Sequence, residues 1–149
     1  MNQNIVYIQR VNKSVLKPYT YFTLSKFFIS QLLKTAKKYT FTYKNIKTRH
    51  TLRFYTKSVC GLINNFAKTY SNFLDENTFV VFKPKNNNEI ELDFIKSNEH
   101  PILRQIIENA LHKANYRYAT SGIFTKSDYD KALCFAKEYE GKNVELKFD

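Results

Sequence analysis

Along residues 39–46 apolar side chains fall on every second position. Tyr39, Phe41 and Tyr43 alternate with Thr40, Thr42 and Lys44, and this period of two predicts a strand in β-prone residues. A second strand is expected at residues 51–55, with Lys47, Thr48, Arg49 and His50 forming a short basic turn between the two. Upstream, Thr23 is a good N-cap, and Leu24, Phe28, Ile29, Leu32, Leu33 and Ala36 recur at helical spacing up to Lys37 and Lys38, where cations suit the negative end of a helix dipole. Ser58 is expected to cap another helix through Val59, Leu62, Ile63, Phe66 and Tyr70, ending in the Asn-rich break at residues 72–77. Residues 79–82 and 89–95 then form the clearest hairpin, since Pro84 and the run Asn86, Asn87, Asn88 supply turn geometry.

The clearest helix has Pro101 in its first turn and a broad apolar face of Ile102, Leu103, Ile106, Ile107, Ala110, Leu111 and Ala114. A strand is expected at residues 117–124. A helix capped by Ser127 follows, with Asp128 and Asp130 in its first turn and Gly141 at its stop, and Val144, Leu146 and Phe148 alternate as a last strand. The first 20 residues are basic and irregular, with a short strand at Ile5, Tyr7 and Ile8, and they are expected to form an N-terminal arm. The remainder, residues 21–149, is expected to be a single α+β domain, a mixed or mainly antiparallel sheet covered by three to four helices.

Charge adds what the pattern cannot. The net charge of the 149-residue chain is +11, yet residues 1–74 hold 13 Lys+Arg and no Asp or Glu, while the rest holds 11 basic and 13 acidic residues. One part carries +13 and the other −2. Solvated faces mix both signs, so an acid-free stretch of this length points to a polyanionic partner. With 43% hydrophobic and 16% aromatic residues the chain is too apolar for a disordered basic tail. No run of about 18 uncharged apolar residues is present, which argues against a membrane span. Three glycines, Gly61, Gly122 and Gly141, cannot build the usual phosphate-cradling fingerprints.

Nucleic acid is the expected polyanion. The contacts are expected from Arg10, Lys13, Lys17, Lys34, Lys37, Lys38, Lys44, Lys47, Arg49, Arg53 and Lys57, with His50 touching phosphate and Tyr43 and Tyr55 offering rings to unpaired bases. Lys outnumbers Arg 19 to 5, which favours point-charge neutralisation of phosphates over bidentate reading of bases. Catalytic chemistry has less support. His100 and His112 read as solvated, Cys60 and Cys134 as buried small hydrophobes. The row Glu89, Glu91 and Asp93 shares one strand face, where it would bind a hard cation, as a small nuclease requires, form a solvated sheet face, or meet basic neighbours. No catalytic residue, metal, cofactor, small-molecule substrate or membrane is expected.

Residues 79–84, 89–92 and 108–114, with a closing strand, resemble the C-terminal half of large-subunit ribosomal protein sixteen: a valine-rich strand ending in Lys83-Pro84, a second strand, then an Ala-rich helix through Glu108, Asn109, Ala110, Leu111, His112, Lys113 and Ala114. Residues 23–46 are similar to that family's helix followed by a strand. The family's Gly-Lys-Gly loop has no counterpart here, nor have residues 126–149 one in the family. The resemblance implies a structural, rRNA-binding component of a ribosome with neighbouring ribosomal proteins as further partners. The abundance of Lys, Asn, Ile, Phe and Tyr matches AT-rich codons and directs the expectation to the mitochondrial matrix. An AT-rich bacterium or a phage is another home for such a gene, and a phage product would inhibit a host nucleic-acid-dependent defence complex in the cytoplasm of an infected bacterium.

Overall fold

Residues 5–8, Ile-Val-Tyr-Ile, are apolar at every position, as befits a strand covered on both faces. In the computed structural model they belong to β1 (Ile5–Arg10), which lies inside a sheet and buries Val6, Tyr7 and Ile8. The structure describes residues 3–11, 22–25, 38–54, 60–63, 66–85, 88–114 and 121–142, with side chains in all of these except 22–25, 51–54, 60–63 and 114. The further strands are β2 (Phe22–Ser25), β3 (Lys38–Tyr43), β4 (Ile46–Phe54), β5 (Cys60–Ile63), β6 (Phe79–Pro84), β7 (Glu89–Ile95) and β8 (Ser121–Thr125). The helices are α1 (Phe66–Thr69), α2 (Pro101–Ala114) and α3 (Lys126–Tyr139). They make one α+β domain.

The strands form an eight-stranded sheet in the order β2-β5-β4-β3-β7-β6-β1-β8. The β3–β7 pair is parallel and every other pair antiparallel, so the sheet is mixed. One face gathers Tyr7, Val11, Tyr39, Phe41, Val80, Phe82, Ile90 and Leu92 under Phe66 and Tyr70 at α1. The other gathers Val6, Ile8, Phe79, Val81 and Ile95 under α2 and α3, through Ile102, Leu103, Ile107, Leu111, Tyr129 and Ala136. Gly122 on β8 lets α2 approach closely, since a Cβ there would lie 2.8 Å from Leu111 Cδ2. Helices α2 and α3 pack on the β1/β6/β8 half of their face, and a cavity between Thr42, Lys44 and Asn45 of the β3–β4 hairpin and Tyr129, Leu133 and Lys137 of α3 lies beside them.

Several expectations need correction. Residues 5–10 are not part of an arm, because β1 is held between β6 and β8, with Tyr7 opposite Phe82 and Ile123. The helix expected to start at Thr23 gives way to β2 over its first residues, and residues 26–37 lie outside those described. The helix expected from Ser58 is a strand at Cys60–Ile63 followed by one helical turn at Phe66–Thr69. Short apolar runs fit both periods, and here pairing of β5 with both β2 and β4 decides for strand. The cap of α3 is Thr125, whose hydroxyl accepts from the Asp128 amide at 3.0 Å, two residues earlier than Ser127. The expected last strand at residues 144–148 lies outside the described residues.

Candidate nucleic-acid interface

Lys44 and Asn45 join β3 to β4, both with positive φ, 45° and 70°. Positive φ at both central residues is the requirement of a type I′ turn, whose twist matches that of the strands it connects. The turn therefore precedes the expected basic turn at residues 47–50, and those residues extend β4. The pairing places Tyr39 opposite His50, Thr40 opposite Arg49, Phe41 opposite Thr48, Thr42 opposite Lys47 and Tyr43 opposite Ile46.

Directly opposed residues of an antiparallel pair share a face, so this register sorts the hairpin into two sets. Tyr39, Phe41 and His50 face the core and are buried. Lys38, Thr40, Thr42, Lys47 and Arg49 lie on the other face, where the three cations are exposed, and Lys44 is exposed at the turn. Among the described residues none of Lys38, Lys44, Lys47 and Arg49 enters an ion pair. The Lys44 ammonium lies 5.3 Å from the centroid of the Tyr43 ring.

An acidic row borders this surface. Glu89, Glu91 and Asp93 share one face of β7, as alternation predicted, the face that carries α2 and α3, and meet basic neighbours: Lys83 bridges Glu91 and Asp93, and Lys85 pairs with Glu91 at 3.3 Å. On the hairpin side the Thr42 hydroxyl donates to Glu89 Oε1 at 2.8 Å. Tyr129 of α3 donates to Asp93 at 3.5 Å, and its burial first, then the Asp93 charge, holds the phenol protonated well beyond its ordinary range. The row is thus tied to lysines and hydroxyls of the fold, and no group of three or more metal-ligating side chains is assembled among the described residues.

Three of the predicted contacts are placed elsewhere by packing. His50 is buried among aromatic rings, 5.2 Å from the Phe41 centroid in an edge arrangement, and its Nε2 is 2.9 Å from the Thr48 hydroxyl. It cannot reach a phosphate. That hydroxyl is in turn bonded to Tyr70, whose phenol is raised in pKa by burial, with the Thr48 bond opposing. Tyr43 is half-buried, its ring edge-on to Phe73 at 4.8 Å and Phe94 at 4.9 Å, so it offers no open face for a base. Arg10 pairs with Glu108 of α2 at 3.3 Å and lies over Phe79, which commits it to holding α2 on the sheet. Arg53 belongs to β4 opposite Leu62 of β5, with its side chain outside those described. Lys13, Lys17, Lys34, Lys37, Tyr55 and Lys57 lie outside the described residues. Cys134, expected to be buried, is exposed on α3. Asn45 and Ile46, exposed at the turn, were missed by the sequence reading, although an Asn tolerant of positive φ after Lys44 is a recognisable turn signal.

No protein-family model matches the chain, and no curated protein matches it. Solved structures similar in fold include the following two. The N-terminal domain of Helicobacter pylori LlaJI.R1 superposes with a TM-score of 0.55 at 11% identity, over 82% of this chain and 98% of that one. A hypothetical protein of Arabidopsis thaliana does so with a TM-score of 0.50 at 10% identity, over 66% of this chain and 98% of that one. At such identities the likeness is one of fold.

Proposed function

We propose that this chain is a non-enzymatic nucleic-acid-binding protein that neutralises backbone phosphates with Lys38, Lys44, Lys47 and Arg49 of the β3–β4 hairpin. The observation that carries the reading is the pairing of an acid-free stretch of 74 residues with a hairpin whose four exposed cations have no carboxylate partner among the described residues. Phosphates supply those partners and release condensed counterions on binding. The burial of His50 and the packing of Tyr43 take base stacking by these rings out of the mechanism. What remains is charge and shape.

Within this reading the partner is RNA: the chain is a structural component of a mitochondrial ribosome, with the hairpin on rRNA and the acidic-neutral remainder facing protein neighbours. Four phosphate contacts imply roughly a hundredfold loss of affinity for structured RNA between about 50 and 200 mM salt. Affinity that is flat over that range would refute nucleic-acid contact. Sedimentation of the native protein locates the particle: comigration with a ribosomal subunit supports the ribosomal home, whereas copurification with one host nuclease complex replaces it with the phage-encoded inhibitor.

A further inference from the structure

The cavity between the β3–β4 turn, β7 and α3 has a volume of about 900 Å³, within the range of small-molecule sites. Its lining on α3 runs from Tyr129 through Leu133 and Ala136 to Glu140, a stretch over which the helix advances about 16 Å at 1.5 Å per residue. The site is therefore long, with an apolar middle to which Leu103 of α2 also belongs.

Both ends hold acceptors. At one, the Tyr129 hydroxyl and the Lys83 ammonium both meet Asp93 on Oδ2, which leaves Oδ1 open. At the other, Glu140 Oε1 is closed to water and receives no hydrogen bond, the only buried side-chain polar atom so left among the described residues. A buried acceptor without a donor is costly and calls for a partner. Glu91 and Glu99 line the same cavity, so its walls carry four carboxylates against two ammonium groups, Lys44 and Lys137, in a chain whose net charge is +11. Lys83 and Lys85 hold Glu91, whereas Glu99 enters no ion pair among the described residues. Of the two lining lysines, Lys44 leans on the Tyr43 ring and Lys137 is exposed to water.

These carboxylates are spread out, and no group of three or more is gathered to hold a metal ion among the described residues. Acceptors at both ends of an apolar wall suit a ligand whose cationic groups are separated by methylenes. The geometry points to a binding site for a linear aliphatic polyamine, with one terminal ammonium on Asp93, the other on Glu140, and the methylenes along Leu133 and Ala136. This site is separate from the phosphate contacts of the hairpin and stands without them.

The test is isothermal titration calorimetry of the full chain, freed of nucleic acid, with spermine, spermidine and cobalt(III) hexammine. Spermidine and the hexammine carry equal charge, so shape alone separates them. Spermine and spermidine should bind, and the hexammine roughly tenfold more weakly than spermidine, because a compact ion reaches one end only and buries no methylene. Glu140→Gln and Glu99→Gln should each weaken spermine about threefold, the size expected for one partly exposed charge pair. Glu138→Gln, an equal charge change on α3 outside the cavity, should leave binding as it is. Glu99 is exposed, so its variant decides the matter should Glu140→Gln disturb the end of α3. Nuclear Overhauser effects from spermine methylenes to the methyl groups of Leu133 and Ala136 should place the ligand. Equal affinity for spermidine and the hexammine, equal effects of Glu138→Gln and Glu99→Gln, or no binding of spermine would each overturn the site.

Discussion

Arg104 shows how a charged residue of the acidic part of the chain serves the fold. Its guanidinium donates to the carbonyls of Ile95 at 2.9 Å, Lys96 at 3.2 Å and Asn77 at 2.8 Å, and lies 4.3 Å from the centroid of Phe79. Burial lowers its pKa, with Glu108 opposing. Arg104→Ala should destabilise the protein by about 3 kcal/mol in urea unfolding, because three carbonyls lose their donor at once. Arg104→Lys should recover only part of that, since an ammonium cannot span the three acceptors. Asp75, the first acidic residue of the chain, is bound by the Thr78 hydroxyl and by the Ser97 hydroxyl at 3.0 Å. Burial raises its pKa, but these bonds, the Ser97 amide and Lys96 outweigh it and leave the carboxyl below the ordinary 3.8. A depressed carboxyl stabilises the fold above its unfolded value and loses that contribution as pH falls through the folded one. Asp75→Asn should therefore be less stable than the parent at pH 7, and the gap should close towards about pH 2 in urea midpoints taken across pH. A gap that stays constant with pH would contradict the assignment.

At the scale of elements, helix α3 depends on Thr125, and Thr125→Ala should lower stability by about 1 kcal/mol in the same unfolding assay. Gly122→Val should lower it by roughly 1–3 kcal/mol, as added carbons meet Leu111 in a closed core. The elements legible from sequence are those long enough for their period to be unambiguous: α2 with its apolar stripe, α3 with its acidic first turn, and the β6–β7 hairpin. The four-residue strands β2 and β5 were not legible, because Leu24 and Leu62 fit a helix as well as a strand until their pairing partners are known. The same limit applied to the site. Lys47 and Arg49 were expected in a basic turn and instead stand on the start of β4, whereas the burial of His50 depends on Phe41, Phe66 and Tyr70, which only the fold brings to it. Its sequence neighbours Lys47, Arg49 and Arg53 suggested the opposite.

At the scale of the whole molecule the charge boundary at Asp75 is no boundary of structure. Strand β1, from the acid-free part, lies between β6 and β8 of the remainder, and β3 pairs with β7. The two parts of the chain are interleaved in one sheet, and Arg10 is spent on Glu108 at their junction. Among the described residues the β3–β4 hairpin keeps four exposed cations outside any ion pair, in the middle of the strand order and separated from β1 by β7 and β6. Position on this surface, more than total charge, should therefore govern binding. The most direct measurement compares two charge-reversed proteins of equal net charge in a salt-titrated nucleic-acid binding assay. One carries Lys38, Lys44, Lys47 and Arg49 changed to Glu, the other Lys126, Lys131, Lys137 and Lys142 changed to Glu. The hairpin variant should lose at least a hundredfold in affinity, on the order expected for four phosphate contacts, and most of its salt dependence, while the second loses much less. Equal losses in the two proteins would contradict a binding surface on the hairpin.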